Sequence, residues 1–185
     1  MARIAILQED DLNEAQQRVL DEIKESRDGT VIDLFKVLLH SPIVADHAQK
    51  LGAFHRHHSS LSTRLVEISV LTTAQHWNCA YAWHYHDCYA RACGIDDEII
   101  QAIRQGQKPI LSSPNDVAVY RFTRELLEVR YVCDEIYQTA HLQLGDTGVI
   151  DLTALIGYYT MIMMSLNTHQ VPLPEGAIPA LYAPG

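Results

Sequence analysis

Ionisable and reactive side chains recur at helical spacing between Glu67 and Gly94, in the stretch EISVLTTAQHWNCAYAWHYHDCYARACG. Apolar residues at positions 65, 68, 70 and 71 surround Glu67. A helix of about 3.6 residues per turn therefore places this carboxylate at or beside the buried stripe. A buried carboxylate requires a partner or a proton. Asn78, which favours local turns, is expected to end this helix and separate it from a second one.

The second helix carries Cys79, Trp83 and His86 at positions i, i+4 and i+7, so the three side chains share one face. Ala82 lies on the same face, one turn before His86, and leaves a gap that can admit a substrate. A histidine on an apolar helix face is more often a satisfied core residue than a catalyst. Its combination with Glu67 on the preceding helix favours a functional site.

The composition predicts one helical domain over residues 1–185. With 185 residues, 48% of them hydrophobic, the chain can bury a full core. It contains no alternating strand pattern of useful length, so the predicted fold is all-α. A helix within residues 13–27 and a proline-rich tail, 170–185, are expected as extensions of the domain. Residues 148–166 are apolar nearly all round, which predicts a helix that is central or buried between subunits.

The charge and the cysteine content limit the partners and the compartment. The formal charge is −9, and the only basic run is the short patch at 56–58, so we expect no nucleic-acid partner. No stretch of about 18 uninterrupted apolar residues is present, so we expect no membrane partner. Four cysteines do not make a disulfide framework for a chain of this size, which predicts reduced thiols and a cytoplasmic protein.

Histidines elsewhere in the chain do not form a convincing metal site. His55, His57 and His58 follow a helix predicted from 42 to 54 and are interpreted as a solvated polar loop. His84 and His86 lie about 200° apart around a helix and cannot face one ion without distortion. We therefore expect no metal.

The run from Phe35 to Gly176 resembles carboxymuconolactone decarboxylase-like proteins, in the superfamily that includes alkylhydroperoxidase D. The matching features are Glu67, HWN at 76–78, Trp83, His86, ACGI at 92–95, EIIQAIRQG at 98–106, RELLE at 124–128, LIGYYT at 155–160 and VPLPEG at 171–176. The resemblance implies an alkylhydroperoxidase D-like helical bundle that forms a homo-oligomer, commonly a dimer, trimer or hexamer, with its site near a subunit contact.

The two branches of this superfamily use different residues, and the chain departs from both at position 82. The peroxidase branch has a glutamate, a Cys-x-x-Cys pair and a histidine four residues on, which Glu67, Cys79 and His86 match. Ala82 stands in place of the second cysteine. The decarboxylase-like branch has Glu-Trp-x-x-His, which Trp83 and His86 match, whereas Ala82 replaces the glutamate.

The first hypothesis is acid/base chemistry on a small carboxylate or lactone: decarboxylation, elimination or isomerisation. His86 would move a proton, and Glu67 would orient the His86 ring; the scheme needs no thiol and no cofactor. This scheme predicts that Glu67 and His86 approach within hydrogen-bond reach, directly or through one water. The substrate would contact Trp83, His76 and the space beside Ala82.

The second hypothesis is a thiol-dependent hydroperoxidase in which Cys79, at the start of a helix, is favoured as a thiolate by the helix dipole. Geometry limits this scheme, because Cys79 and His86 would lie two turns apart, about 10 Å along a regular helix. Cys88 would point to the opposite face of the same helix. A third hypothesis is a non-catalytic helical oligomer in which Ala82 records lost activity.

Overall fold

The computed structural model describes residues 2–181, and all regular secondary structure within that range is helical. A short 3₁₀ turn, Glu9–Asp11, precedes the α-helices. The helices are α1 (Glu14–Glu25), α2 (Asp33–Leu38), α3 (Pro42–His57), α4 (Thr63–His76), α5 (Ala80–Ala92), α6 (Asp97–Arg104), α7 (Pro114–Val129) and α8 (Asp134–His169). The all-α prediction is confirmed.

One compact unit comprises residues 2–58 and 164–172. Helix α1 begins with a capping box, in which the Asn13 side chain accepts a bond from Gln16 N and the Gln16 side chain accepts one from Asn13 N. Its apolar stripe, Val19, Leu20 and Ile23, is fully buried. The helix predicted within 13–27 is therefore present, and it ends at Glu25.

Helix α3 extends further than the sequence pattern indicated. It continues through His57, and His55 is only 4% exposed. His55 follows Ala45, Ala48 and Gly52 at spacings of three and four residues, so it continues their buried stripe. The predicted loop is wrong for His55 and His57, because both lie in α3, and His55 is also buried. His57 and His58 are exposed, as predicted.

The other compact unit comprises residues 59–163 and 173–181. Helix α4 is its centre and packs against α5, α6 and α7. All ten residues from 65 to 74 are buried. The hydroxyls among them have partners: Thr72 and Thr73 donate to carbonyls one turn earlier, and Ser69 accepts a bond from Thr123 at 3.0 Å. A helix buried on every side can hold these polar groups because each is hydrogen-bonded.

The break between α4 and α5 lies where it was predicted. Asn78 has φ 48°, a left-handed conformation that asparagine tolerates better than most residues. Helix α4 ends at His76, and α5 begins at Ala80 with Cys79 as its N-cap residue. The turn lets α5 pack against α4.

Helix α8 is interrupted at Gly145, where φ is 67° and ψ is −179°. Two helical segments therefore meet there. Asp151 lies within the apolar sequence of the second segment. Its carboxylate accepts hydrogen bonds from Ser59 Oγ, Ser60 N and Ser60 Oγ, so the buried charge has partners. Among the described residues, α8 alone is long and apolar enough to cross a membrane, but half of its most apolar window is buried within the protein.

The proline-rich tail contains no regular helix from residue 171 to residue 181. Val171 and Leu181 are buried, and Ile178 is 85% exposed. The remainder of the predicted tail, residues 182–185, lies outside the described residues. The prediction of one domain over residues 1–185 stays a prediction.

Candidate functional site

Glu67 and His86 form the centre of the candidate site. His86 Nδ1 lies 2.8 Å from Glu67 Oε2, and the two side chains are 14% and 6% exposed. The predicted approach of these residues is confirmed. When Glu67 is ionised its carboxylate can only accept hydrogen bonds, so in that state Nδ1 is the donor in this bond. The Nε2 atom of His86 is then the ring nitrogen available for proton transfer.

Two tyrosine rings contact the His86 imidazole. The Tyr159 centroid lies 5.0 Å away with an interplanar angle of 87°, and the Tyr89 centroid lies 5.7 Å away at 79°. Both contacts are edge-to-face, a preferred geometry for aromatic pairs. Sequence reasoning missed both residues as parts of the site. The available signals were the position of Tyr89, three residues after His86, and the tyrosines that interrupt the apolar sequence of α8.

Cys79 lies at the N-cap of α5 and is 1% exposed. Burial raises the pKa of its thiol to about 11, because desolvation outweighs the hydrogen bonds from the Ala82 and Tyr81 backbone that lower it. The expectation that the helix start favours the thiolate is therefore wrong. At neutral pH this sulfur is a protonated, buried thiol.

The structure buries two of the residues that were expected to contact the substrate. Trp83 is 1% exposed and Ala82 is 5% exposed, so both belong to the core around α5. His76 is exposed at the end of α4, and its ring contacts Trp77 at 5.6 Å rather than His86. The roles of all three residues in substrate binding stay predictions.

Arg64 is bound to neighbours in its own unit. Its Nε and Nη2 atoms both lie 2.9 Å from Asp116 Oδ2, and Nη1 donates to Gly94 O at 2.6 Å. The Asp116 side chain is only 3% exposed, so Arg64 neutralises a buried carboxylate. Arg64 thus joins the first turn of α7 to the end of α5.

Cys93 lies two turns after His86 along α5. Its thiol donates to Ala90 O at 3.2 Å. Burial raises the pKa of this thiol, and the charge of Glu67 raises it further. Cys93 is therefore a second protonated thiol near the candidate site. Among residues 2–181, no three His, Cys, Asp or Glu side chains are grouped so that they could hold a metal ion.

No protein-family model matches the sequence, and no curated protein matches it significantly. Solved structures do match. A peroxidase-related protein from Ralstonia eutropha JMP134, described as an alkylhydroperoxidase AhpD core, has a TM-score of 0.77 at 16% identity, covering 94% of this chain and 93% of that one. An Agrobacterium tumefaciens protein of unknown function, proposed to be an AhpD antioxidant defence protein, has a TM-score of 0.67 at 14% identity, covering 74% and 94%.

The debrominase Bmp8 matches in two structures. Its apo form has a TM-score of 0.72 at 12% identity, covering 91% of this chain and 90% of that one. A Cys-to-Ala variant in complex with 2,3,4-tribromopyrrole has a TM-score of 0.74 at 11% identity, covering 95% of each chain. The chain therefore has the alkylhydroperoxidase D-like fold, as predicted. Membership of the carboxymuconolactone decarboxylase-like subfamily stays a prediction.

Proposed function

We propose that this protein is an enzyme that performs acid/base chemistry on a small carboxylate or lactone, by decarboxylation, elimination or isomerisation. The observation that carries the proposal is the 2.8 Å bond between His86 Nδ1 and Glu67 Oε2. The other ring nitrogen of His86, Nε2, takes no part in this bond, and the His86 side chain is 14% exposed. A histidine oriented by a carboxylate is a common arrangement for a general base.

In an isomerisation, His86 Nε2 removes a proton from a carbon next to a carbonyl group. The electron pair of that C–H bond moves to the carbonyl oxygen and forms an enolate, and the imidazolium returns the proton to a different carbon. In a decarboxylation, the C–CO₂⁻ bond breaks, CO₂ leaves, and a protonated His86 supplies the proton to carbon. A positioned acid/base of this kind is worth roughly 10² to 10⁴ in rate.

The second candidate function is a thiol-dependent hydroperoxidase that uses Cys79. The AhpD-like fold and the peroxidase-related neighbour favour it. Two features oppose it. The pKa of Cys79 is raised to about 11, so little thiolate exists at neutral pH. Ala82 also stands where the resemblance places the resolving cysteine. We therefore place this function second.

The proposal includes a homo-oligomer that acts on a small-molecule substrate in the cytoplasm. All four cysteines are free in the structure, which agrees with a reducing compartment. The non-catalytic oligomer is the remaining alternative, and any turnover that depends on His86 would exclude it.

A proton-exchange experiment tests the proposed function without a known substrate. The protein is incubated in D₂O with a panel of unsaturated γ-lactones and 3-oxo carboxylates, and ¹H NMR follows deuterium incorporation and CO₂ loss. We expect enzyme-dependent exchange or decarboxylation of at least one compound, and its loss in His86→Asn. A parallel assay follows hydroperoxide consumption with dithiothreitol. Hydroperoxide turnover that Cys79→Ala abolishes, together with no exchange on the panel, would move the assignment to the peroxidase.

A further inference from the structure

A concave site lies in the unit of residues 59–163, and neither member of the Glu67–His86 pair lines it. It is a groove of about 460 Å³ between the loop after α6, helix α7 and the start of α8. Its volume is in the range of small-molecule sites. Three of its lining residues are basic, Lys108, Arg121 and Arg124, in a chain whose net charge is −9.

Arg124 is held in a fixed orientation. Its Nε atom donates to Glu128 at 2.6 Å, and its Nη1 atom donates to the Tyr120 hydroxyl at 2.8 Å and to Gly106 O at 3.2 Å. No described residue accepts a bond from Nη2. A guanidinium that is already ordered loses little conformational entropy when it binds a ligand.

The other two cations are also available. Arg121 lies three residues before Arg124 on α7, so the two side chains are neighbours on the helix surface. Its Nη2 atom contacts Glu135, a side chain that is 76% exposed. Such an exposed pair contributes little and competes weakly with a ligand. Lys108 forms no ion pair with any described residue.

The acidic residues of the groove are engaged by protein groups. Glu125 Oε2 accepts the backbone N–H of Cys133 at 3.0 Å, and Glu128 accepts the bond from Arg124. The lining keeps one more basic than acidic side chain, and neither Arg124 Nη2 nor Lys108 Nζ bonds to a described residue. Val129 and Ile136 supply apolar lining. The groove combines cationic donors with an aliphatic surface.

We propose that this groove binds a small organic anion, in which one carboxylate or phosphate group contacts Arg121, Arg124 and Lys108 while an apolar body covers Val129 and Ile136. Planar guanidinium groups match the oxygens of both anions and form short, charge-assisted hydrogen bonds with them. This site is separate from the proposed catalytic pair and does not depend on its function.

Calorimetric titration of the full-length protein tests this site with benzoate and phenyl phosphate, and with benzamide as the neutral analogue. We expect the anions to bind, benzamide to fail, and binding to weaken at high salt because the contacts are partly exposed. The tighter of the two anions assigns the anionic group as a carboxylate or a phosphate. The readout is binding, so it stays interpretable if the acid/base proposal fails.

Matched charge variants locate the site. Lys108→Gln with Arg121→Gln should weaken anion binding by roughly tenfold or more, since charge-assisted bonds are lost. Arg124 is left intact because it supports the loop after α6. The control, Lys50→Gln with Arg56→Gln, removes the same charge from exposed positions in the other unit and should bind as the original protein does. No anion binding at millimolar concentration, equal binding of benzamide, or equal losses in both double variants would overturn the proposal.

Discussion

The imidazole Nδ1 of His86 lies 2.8 Å from the carboxylate Oε2 of Glu67, although 19 positions separate the residues in sequence. The left-handed residue Asn78 reverses the chain between their helices, so that α5 packs against α4. Both side chains lie on faces that their neighbours bury, and the bond satisfies a buried carboxylate.

Glu67→Gln tests whether the carboxylate charge matters. The amide is nearly isosteric and its oxygen can still accept a bond from Nδ1, but it carries no charge to stabilise an imidazolium. We expect kcat/KM to fall by on the order of 10²-fold, with an unchanged circular dichroism spectrum. Glu98→Gln, at an exposed position of α6, is the matched control. Unchanged turnover in Glu67→Gln would end this mechanism.

Cys79→Ala should retain most turnover on the true substrate, because the proposed chemistry uses no thiolate. The truncation removes one buried atom from the core, so we expect a loss of about 1 kcal/mol in the free energy of unfolding. In the original protein, Cys79 should react with iodoacetamide far more slowly than exposed Cys88 at neutral pH. Mass spectrometry of the alkylated peptides measures this difference. Rapid labelling of Cys79 would contradict its assignment as a buried, protonated thiol.

Cys79 also predicts a pH dependence of stability. Its pKa is raised from 9.0 to about 11, so the folded state holds the thiol proton more tightly than the unfolded state does. The resulting contribution to stability is fully present below pH 9.0 and is lost as the pH rises to about 11. The loss should be on the order of 2 to 3 kcal/mol. Urea unfolding at several pH values across this range should show that the free energy of unfolding declines less with pH in Cys79→Ala than in the original protein. The same decline in both proteins would contradict the assignment.

Arg64→Met should destabilise the protein because it leaves the buried Asp116 carboxylate without its cation. We expect a loss on the order of 3 kcal/mol in the free energy of unfolding. The double variant with Asp116→Asn should recover part of this loss, since no buried charge then remains. Urea denaturation of both variants measures the effect. If Arg64→Met is as stable as the original protein, solvent already screens the Arg64–Asp116 pair.

Ile150→Asp tests the predicted homo-oligomer. Ile150 is 69% exposed and Met161, eleven residues later on the same face of α8, is 38% exposed. Apolar side chains exposed together on one helix face are typical of a subunit contact. Sedimentation velocity at micromolar concentration should show an oligomer for the original protein and a smaller species for the variant. A monomeric original protein would contradict the prediction.

Local sequence determined the helices and several of their ends. Asn13, Asn78 and Gly145 act through their own side-chain or backbone preferences, so their positions could be read without the fold. The pairing of Glu67 with His86 was also predictable, because each occupies a face that its neighbours bury and each needs a polar partner. The periodicity within each of the two helices shows which face is buried, and so identifies both residues as in need of a partner.

Only the tertiary structure decided what surrounds those side chains. Tyr159 reaches His86 from α8, which no local pattern relates to α5. The pKa of Cys79 depends on how completely other elements exclude water from the start of α5, and that effect reverses the direction expected from the helix dipole alone. The groove that contains Arg121 and Arg124 likewise exists only where α7 meets the loop after α6 and the start of α8. Backbone preferences act between near neighbours in sequence, whereas desolvation and enclosure depend on atoms brought together from distant parts of the chain.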